Sequence, residues 1–145
     1  TLNSLKNKNM PNKIILDVGH NPAALQKMKD CLDEAKINHW ENQTRIPALV
    51  SLLADKELST MLNLLNKEFK PFILFRSSSK RSINKQLLKE LRPDLSLYEN
   101  FETAWSSAKE IWQDEKTWLV AGSFAATFDA LSFFKKNKLL PKNKS

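Results

Sequence analysis

Apolar residues recur along the chain in two alternating patterns. Short, nearly continuous runs at Ile14–Gly19, Ala48–Ala54, Pro71–Phe75, Leu95–Tyr98 and Thr117–Ala121 read as strands buried on both faces. Between and after them, apolar residues return at three- and four-residue spacing, the mark of one-sided helices. The stripes are Leu25, Met28, Leu32 and Ala35; Leu58, Met61, Leu65 and Phe69; Ile83, Leu87 and Leu91; Phe101, Trp105, Ala108 and Trp112; and Phe124, Phe128, Leu131 and Phe134. Each stripe is expected to face a sheet. Strand–helix alternation builds crossover units, so the expected fold is α/β and Rossmann-like, a mostly parallel sheet of five or six strands with helices on both faces. The sixth strand would be a short one near Asn38–Trp40.

Local signals set the boundaries. Asn21 followed by Pro22 reads as the N-cap and first residue of the first helix, and Pro93 closes the third. Residues 1–12 read as a polar linker, 13–140 as one domain without repeats, and 141–145 as a tail. A length of 145 residues with 41% hydrophobic and 27% charged residues allows a real core and excludes the disordered and fibrous classes. No apolar run reaches the roughly 20 residues of a membrane span, and the N-terminus lacks signal-peptide order, so a cytoplasmic protein is expected. A single cysteine and two histidines leave no disulfide and no zinc site. Cys31 falls on the apolar stripe of the first helix and is expected to be a buried thiol.

The net charge of +7 changes this picture little. Lysines concentrate at the two ends, without interleaved aromatics, which reads as solvated termini rather than a nucleic-acid groove. A stand-alone α/β module that recruits an acidic partner through those ends is the alternative reading, and its affinity would fall steeply with salt.

The chemistry gathers where strands end. The chain has two glycines, Gly19 and Gly122, both between a strand and the next helix. Open parallel sheets bind ligands at that edge, where helix N-termini offer free N–H groups. Asp17 and His20 come after the first strand, Asp55 and Lys56 after the second, Ser77–Arg81 after the third and Ser123 after the fifth. Taken singly, each has a structural reading as a cap, a turn residue or a solvated charge. There is no P-loop, nucleophile elbow, dinucleotide fingerprint or metal-ligand cluster. Half of an active site is what these residues describe.

Asp17-Val18-Gly19-His20-Asn21-Pro22, after Ile14-Ile15-Leu16, resembles the Asp-Gly-Ala-His-Asn-Pro signature of folylpolyglutamate and dihydrofolate synthases, in the Mur ligase superfamily. Ala54-Asp55-Lys56-Glu57 looks like their Ala-Asp-Lys-Asp turn, Arg81-Ser82 like their Arg-Ala/Ser segment, and Gly122-Ser123-Phe124 like their Gly-Ser loop. The four motifs span residues 14–131 in the family's order. Ser51 and Ala125 depart from it, standing where a glycine and a larger, often polar residue are usual, and residues 1–13 lack the family's upstream Gly-Arg pair.

The resemblance implies the C-terminal domain of an ATP-dependent ligase whose covalently linked N-terminal P-loop domain holds ATP and most of the Mg2+. The reaction it implies phosphorylates a carboxylate and joins L-glutamate to a folate or dihydropteroate through the acyl phosphate. By the same resemblance Asp17, His20 and Asn21 would contact the nucleotide, while Lys56, Arg81 and Ser123 would line the glutamate site. No residue is assigned a catalytic role, and the domain alone is expected to be inactive. Another Mur-like ligase fits the same motifs.

Overall fold

The computed structural model of the chain describes residues 10–39 and 45–139. Its elements alternate without exception: β1 (Lys13–Leu16), α1 (Pro22–His39), β2 (Ala48–Val50), α2 (Leu58–Glu68), β3 (Phe72–Phe75), α3 (Lys85–Leu91), β4 (Leu97–Tyr98), α4 (Phe101–Ile111), β5 (Thr117–Ala121) and α5 (Phe124–Lys136). The strands form one five-stranded sheet in the order β1-β5-β2-β3-β4, and every neighbouring pair is parallel. This is the expected α/β architecture.

Four of the five helices among the described residues begin at a side-chain cap, and α2 starts after Glu57 without one. Asn21 Oδ1 accepts the Ala24 N–H at 2.8 Å, and Pro22 occupies the first helical position, where no donor is needed. Asn84 and Ser123 cap α3 and α5 in the same way, and Asn100 with Thr103 closes a reciprocal capping box on α4. At the far end of α5, Lys138 turns left-handed at φ 55°, so that Leu139 N–H reaches Phe134 O at 2.7 Å and Lys138 N–H reaches Lys135 O at 3.2 Å. Those two bonds satisfy carbonyls the helix leaves open, and Leu139 packs back onto the core.

Alternation along the strands divides the core in two. Val50, Leu74, Leu119 and Ala121 face α1, α2 and α3 through Leu25, Leu62, Leu65 and Leu88. Leu49, Phe75, Trp118 and Val120 face α4 and α5, where the packing is aromatic. Trp105 lies 5.0 Å from both Trp118 and Phe134, and Phe101 lies 5.3 Å from Phe75, all edge-on. Met10 packs on this second cluster and Asn12 N–H bonds Lys116 O at 2.7 Å, so the last residues before β1 are already tied to the domain.

Four expectations need correcting. Asn38 and His39 belong to α1 rather than to a sixth strand, and Trp40 lies outside the described residues. Cys31 is exposed, because α1 is buried along a narrow line through Leu25 and Leu32 and Cys31 projects about 100° away from Leu32. In α3 the buried residue is Leu88, while Leu91 is exposed. The largest revision concerns α5, where Phe124, Phe128 and Leu131 are 69%, 57% and 42% exposed. The cap at Ser123 sets the helical phase so that Ala126, Thr127, Ala130 and Phe134 meet the sheet. Small alanines let the helix approach closely, and the phenylalanine stripe is left outside.

The two faces of α5 should separate in stability. Phe134→Ala should cost about 3–5 kcal/mol, whereas Phe128→Ala should stay within about 0.5 kcal/mol. Urea unfolding of both variants checks this, and equal losses would return Phe128 to the core.

Candidate functional site

β5 sits between β1 and β2 but sends its helix to the opposite face. α5 packs with α4 on the aromatic side, whereas α1 and α2 cover the other. The chain therefore parts in two directions at the carboxyl ends of three adjacent strands, the arrangement that opens a ligand crevice in open α/β sheets.

The first wall of the crevice is the turn after β1. Leu16 pairs with Val120, and Asp17 N–H donates to Val120 O at 2.9 Å, so the turn starts level with the end of β5. Asp17 is half-buried, and its Oδ2 accepts the Gly19 N–H at 3.2 Å. A side chain at Gly19 would place Cβ 2.9 Å from both Ala24 Cβ and Asp17 Oδ2, which leaves no room between turn and helix. His20 and Asn21 stand exposed at the start of α1.

The second wall comes directly after β5. Gly122 has φ +109°, and a Cβ there would collide with the Ser51 carbonyl oxygen and lie 2.9 Å from Val50 Cγ1. Only glycine permits this close crossing of β2. Ser123 is 1% exposed, and its Oγ accepts the Ala126 N–H at 3.1 Å. Its hydroxyl is thus part of a helix cap rather than an open contact.

Lys56 and Arg81 lie on two joined turns beyond β2 and β3. Ala54 N–H donates to Arg81 O at 2.7 Å, and Ile83 N–H to Leu52 O at 2.8 Å, across an antiparallel bridge between Leu53 and Ser82. Asp55 Oδ1 accepts the Glu57 N–H at 2.9 Å, while its Oδ2 lies 4.0 Å from the Arg81 guanidinium. Both cations stand exposed at the surface. All six candidate residues therefore share one edge of the sheet, with Asp17, His20, Asn21 and Ser123 at the ends of paired strands and Lys56 and Arg81 on the adjoining turns.

Serines brace this edge, a role the sequence reading did not give them. Ser51 is fully buried with its Oγ 3.5 Å from Ser82 Oγ, and Ser82 Oγ in turn accepts the Ser77 N–H at 2.9 Å. Ser78 bonds Asp129 on α5 through both its N–H and its hydroxyl. The serine run after β3 is a visible signal in the sequence, but nothing local points to Asp129.

Neither α1 nor α5 carries an acidic residue in its first turn, so the partial positive charge of each N-terminus is not neutralised there. Among the described residues no group of three or more His, Cys, Asp or Glu side chains converges to hold a metal. A carboxyl held below its ordinary range belongs to Asp94, through its hydrogen bonds to Arg92 at 2.9 and 2.7 Å, and that pair closes the turn after α3, remote from the crevice. No helix among the described residues is long and apolar enough to cross a membrane.

The sequence is 26% identical over 125 residues to the dihydrofolate synthase/folylpolyglutamate synthase of Buchnera aphidicola subsp. Schizaphis graminum, covering 83% of this chain and 28% of that protein. The chain is similar to folylpolyglutamate/dihydrofolate synthases. Their solved structures share its fold: E. coli FolC with ADP and no folate substrate matches at TM-score 0.70 and 22% identity, over 86% of this chain and 29% of FolC. A bifunctional synthase with Mn, AMPPNP and L-glutamate bound matches at TM-score 0.66 and 23% identity, over 86% of this chain and 30% of that one. The chain thus spans under a third of the length of the synthases it matches. No family model matches it.

Gly122→Ala should destabilise the domain by about 2–5 kcal/mol, combining left-handed strain with overlap on Ser51. A lower urea midpoint at unchanged slope is the expected result. Gly19→Ala, whose neighbours are side-chain atoms, should cost less.

Proposed function

We propose that this chain is the C-terminal domain of a cytoplasmic, ATP-dependent folylpolyglutamate/dihydrofolate synthase. The observation that carries the reading is the pairing of β1 with β5, which puts the His20 turn and the Gly122-Ser123 turn side by side at two helix N-termini whose first turns carry no acidic residue. The similarity to the synthases, and the nucleotide, Mn and L-glutamate held by their solved structures, support the same assignment.

In this reading the crevice closes over ATP held by a P-loop domain in the same polypeptide. The nucleotide supplies the phosphoryl group that activates a folate or dihydropteroate carboxylate. This chain's part is to bind, orient and exclude water. The exposed His20 and the two donors of the Asn21 amide face the nucleotide, and Asp17, fixed by Gly19, accepts from it. Lys56 and Arg81 attract the carboxylates of L-glutamate from one joined pair of turns. Ser123 anchors α5 at the glutamate side of the crevice. Mg2+ would be held mainly by the other domain. Holding a hydrolysable acyl phosphate away from water and near the glutamate amine is worth several orders of magnitude in rate, without any general base on this chain.

Two measurements test the proposal. Calorimetry on the 145-residue chain alone should give ATP affinity no tighter than millimolar and no turnover; tight, magnesium-dependent binding would refute the division of labour. In the complete ligase, Lys56→Ala should raise the glutamate KM about ten- to hundredfold, the loss of one charge-assisted hydrogen bond, while barely moving that for ATP. Equal losses for both substrates, or none, would make Lys56 a solvated surface charge.

A further inference from the structure

The turn that carries Arg81 is held from outside by one residue on α5. Ser78 N–H donates to Asp129 Oδ2 at 2.7 Å and Ser78 Oγ donates to Asp129 Oδ1 at 2.6 Å, so the carboxylate grips the turn with both oxygens across 51 residues of sequence. Other polar groups of the turn bond inward. Ser79 N–H reaches Ser77 Oγ at 3.3 Å, Arg81 N–H reaches Ser79 Oγ at 3.1 Å, and Ser82 N–H reaches Ser79 O at 3.1 Å. At its far side the turn is stitched to the Asp55–Lys56 turn through Ala54 N–H and Arg81 O. A path of hydrogen bonds, joined through the backbone from Ser78 to Ser79, thus runs from α5 through Arg81 to the turn bearing Lys56.

We propose that Asp129 is a positioning residue, setting the spacing between α5 and the joined turns so that Arg81 and Lys56 meet the glutamate substrate in one fixed geometry. The inference rests on the ligase reading above. Asp129 lies six residues beyond Ser123, about 9 Å down the same helix, so it moves as one body with the Gly122-Ser123 wall of the crevice. Arg81 is 69% exposed and 4.0 Å from Asp55, too loose a contact to orient it alone. Without Asp129 the turn would keep its internal bonds and its link to Asp55–Lys56 but lose its reference to α5. Both cations would then sample a wider range of positions relative to the glutamate side of the crevice, while the Asp17–Asn21 turn, which has its own bond to β5, would stay in place.

Two readouts separate a tether from a merely structural contact. On the 145-residue chain, limited trypsin digestion cuts after Lys80 and Arg81, and Asp129→Ala should speed that cleavage about tenfold. Asp129→Asn, which keeps one acceptor oxygen, should fall between. In the complete ligase, Asp129→Ala should raise the glutamate KM about three- to tenfold and leave the ATP KM within about twofold, with Asp129→Asn recovering part of the loss. Unchanged cleavage would overturn the tether. Faster cleavage with an unmoved glutamate KM, in an enzyme where Lys56→Ala still raises it, would overturn the positioning role and leave the ligase assignment standing. A glutamate KM unmoved by both Asp129→Ala and Lys56→Ala would overturn the assignment of this edge to glutamate, and the positioning role with it.

Discussion

β5 is bonded to β1 on one edge and to β2 on the other, and all five of its residues are buried. A strand with both edges paired and both faces covered has no freedom to slide, since a one-residue slip would exchange Trp118 and Val120 with Leu119 and Ala121 between two differently packed cores. The aromatic side could not accept the exchange, because Trp118 fills the space between Trp105 and Trp112. The turns around the end of β5 inherit that fixity. Gly122 passes against the Ser51 carbonyl, Ser123 starts α5, and Asp17 takes its register from Val120. The crevice is a consequence of where this one strand is inserted.

Around that anchor the edge divides into two mechanical parts. The Asp17–Asn21 turn is short, closed on itself through Gly19 and attached to β5 by a backbone bond. The turns after β2 and β3 form a larger piece, laced together by serines and by backbone bonds, and tied to α5 through Asp129. The nucleotide contacts proposed for the first part and the glutamate contacts proposed for the second would respond separately to substitution. Ser51 fits the second part because its buried hydroxyl lies near Ser82.

The clustering of chemistry on one edge was legible in the sequence because polar residues crowd the ends of apolar runs, and a parallel sheet puts all those ends together. Asn21-Pro22 declared the start of α1 for a local reason of the same kind. The errors share a different cause. Phe124, Phe128 and Leu131 outweigh Ala126 and Ala130 on any count of apolar bulk, yet the sheet takes the alanines, because close packing rewards fit rather than size. Cys31 lies one residue from Leu32, and the phase of a helix is not fixed to one residue by periodicity alone. Ser78 and Asp129 meet only after the chain has crossed from one face of the sheet to the other, which no local pattern encodes.

The exposure of Cys31 has a practical side. It is the chain's single cysteine, it stands in solvent, and it lies ten residues beyond Asn21 on the same helix, about 15 Å from the edge. A thiol-reactive fluorophore or spin label would attach at one place without a prior round of cysteine removal. From there it would report motion of α1 against whatever faces the crevice, at a distance that leaves the crevice itself unobstructed.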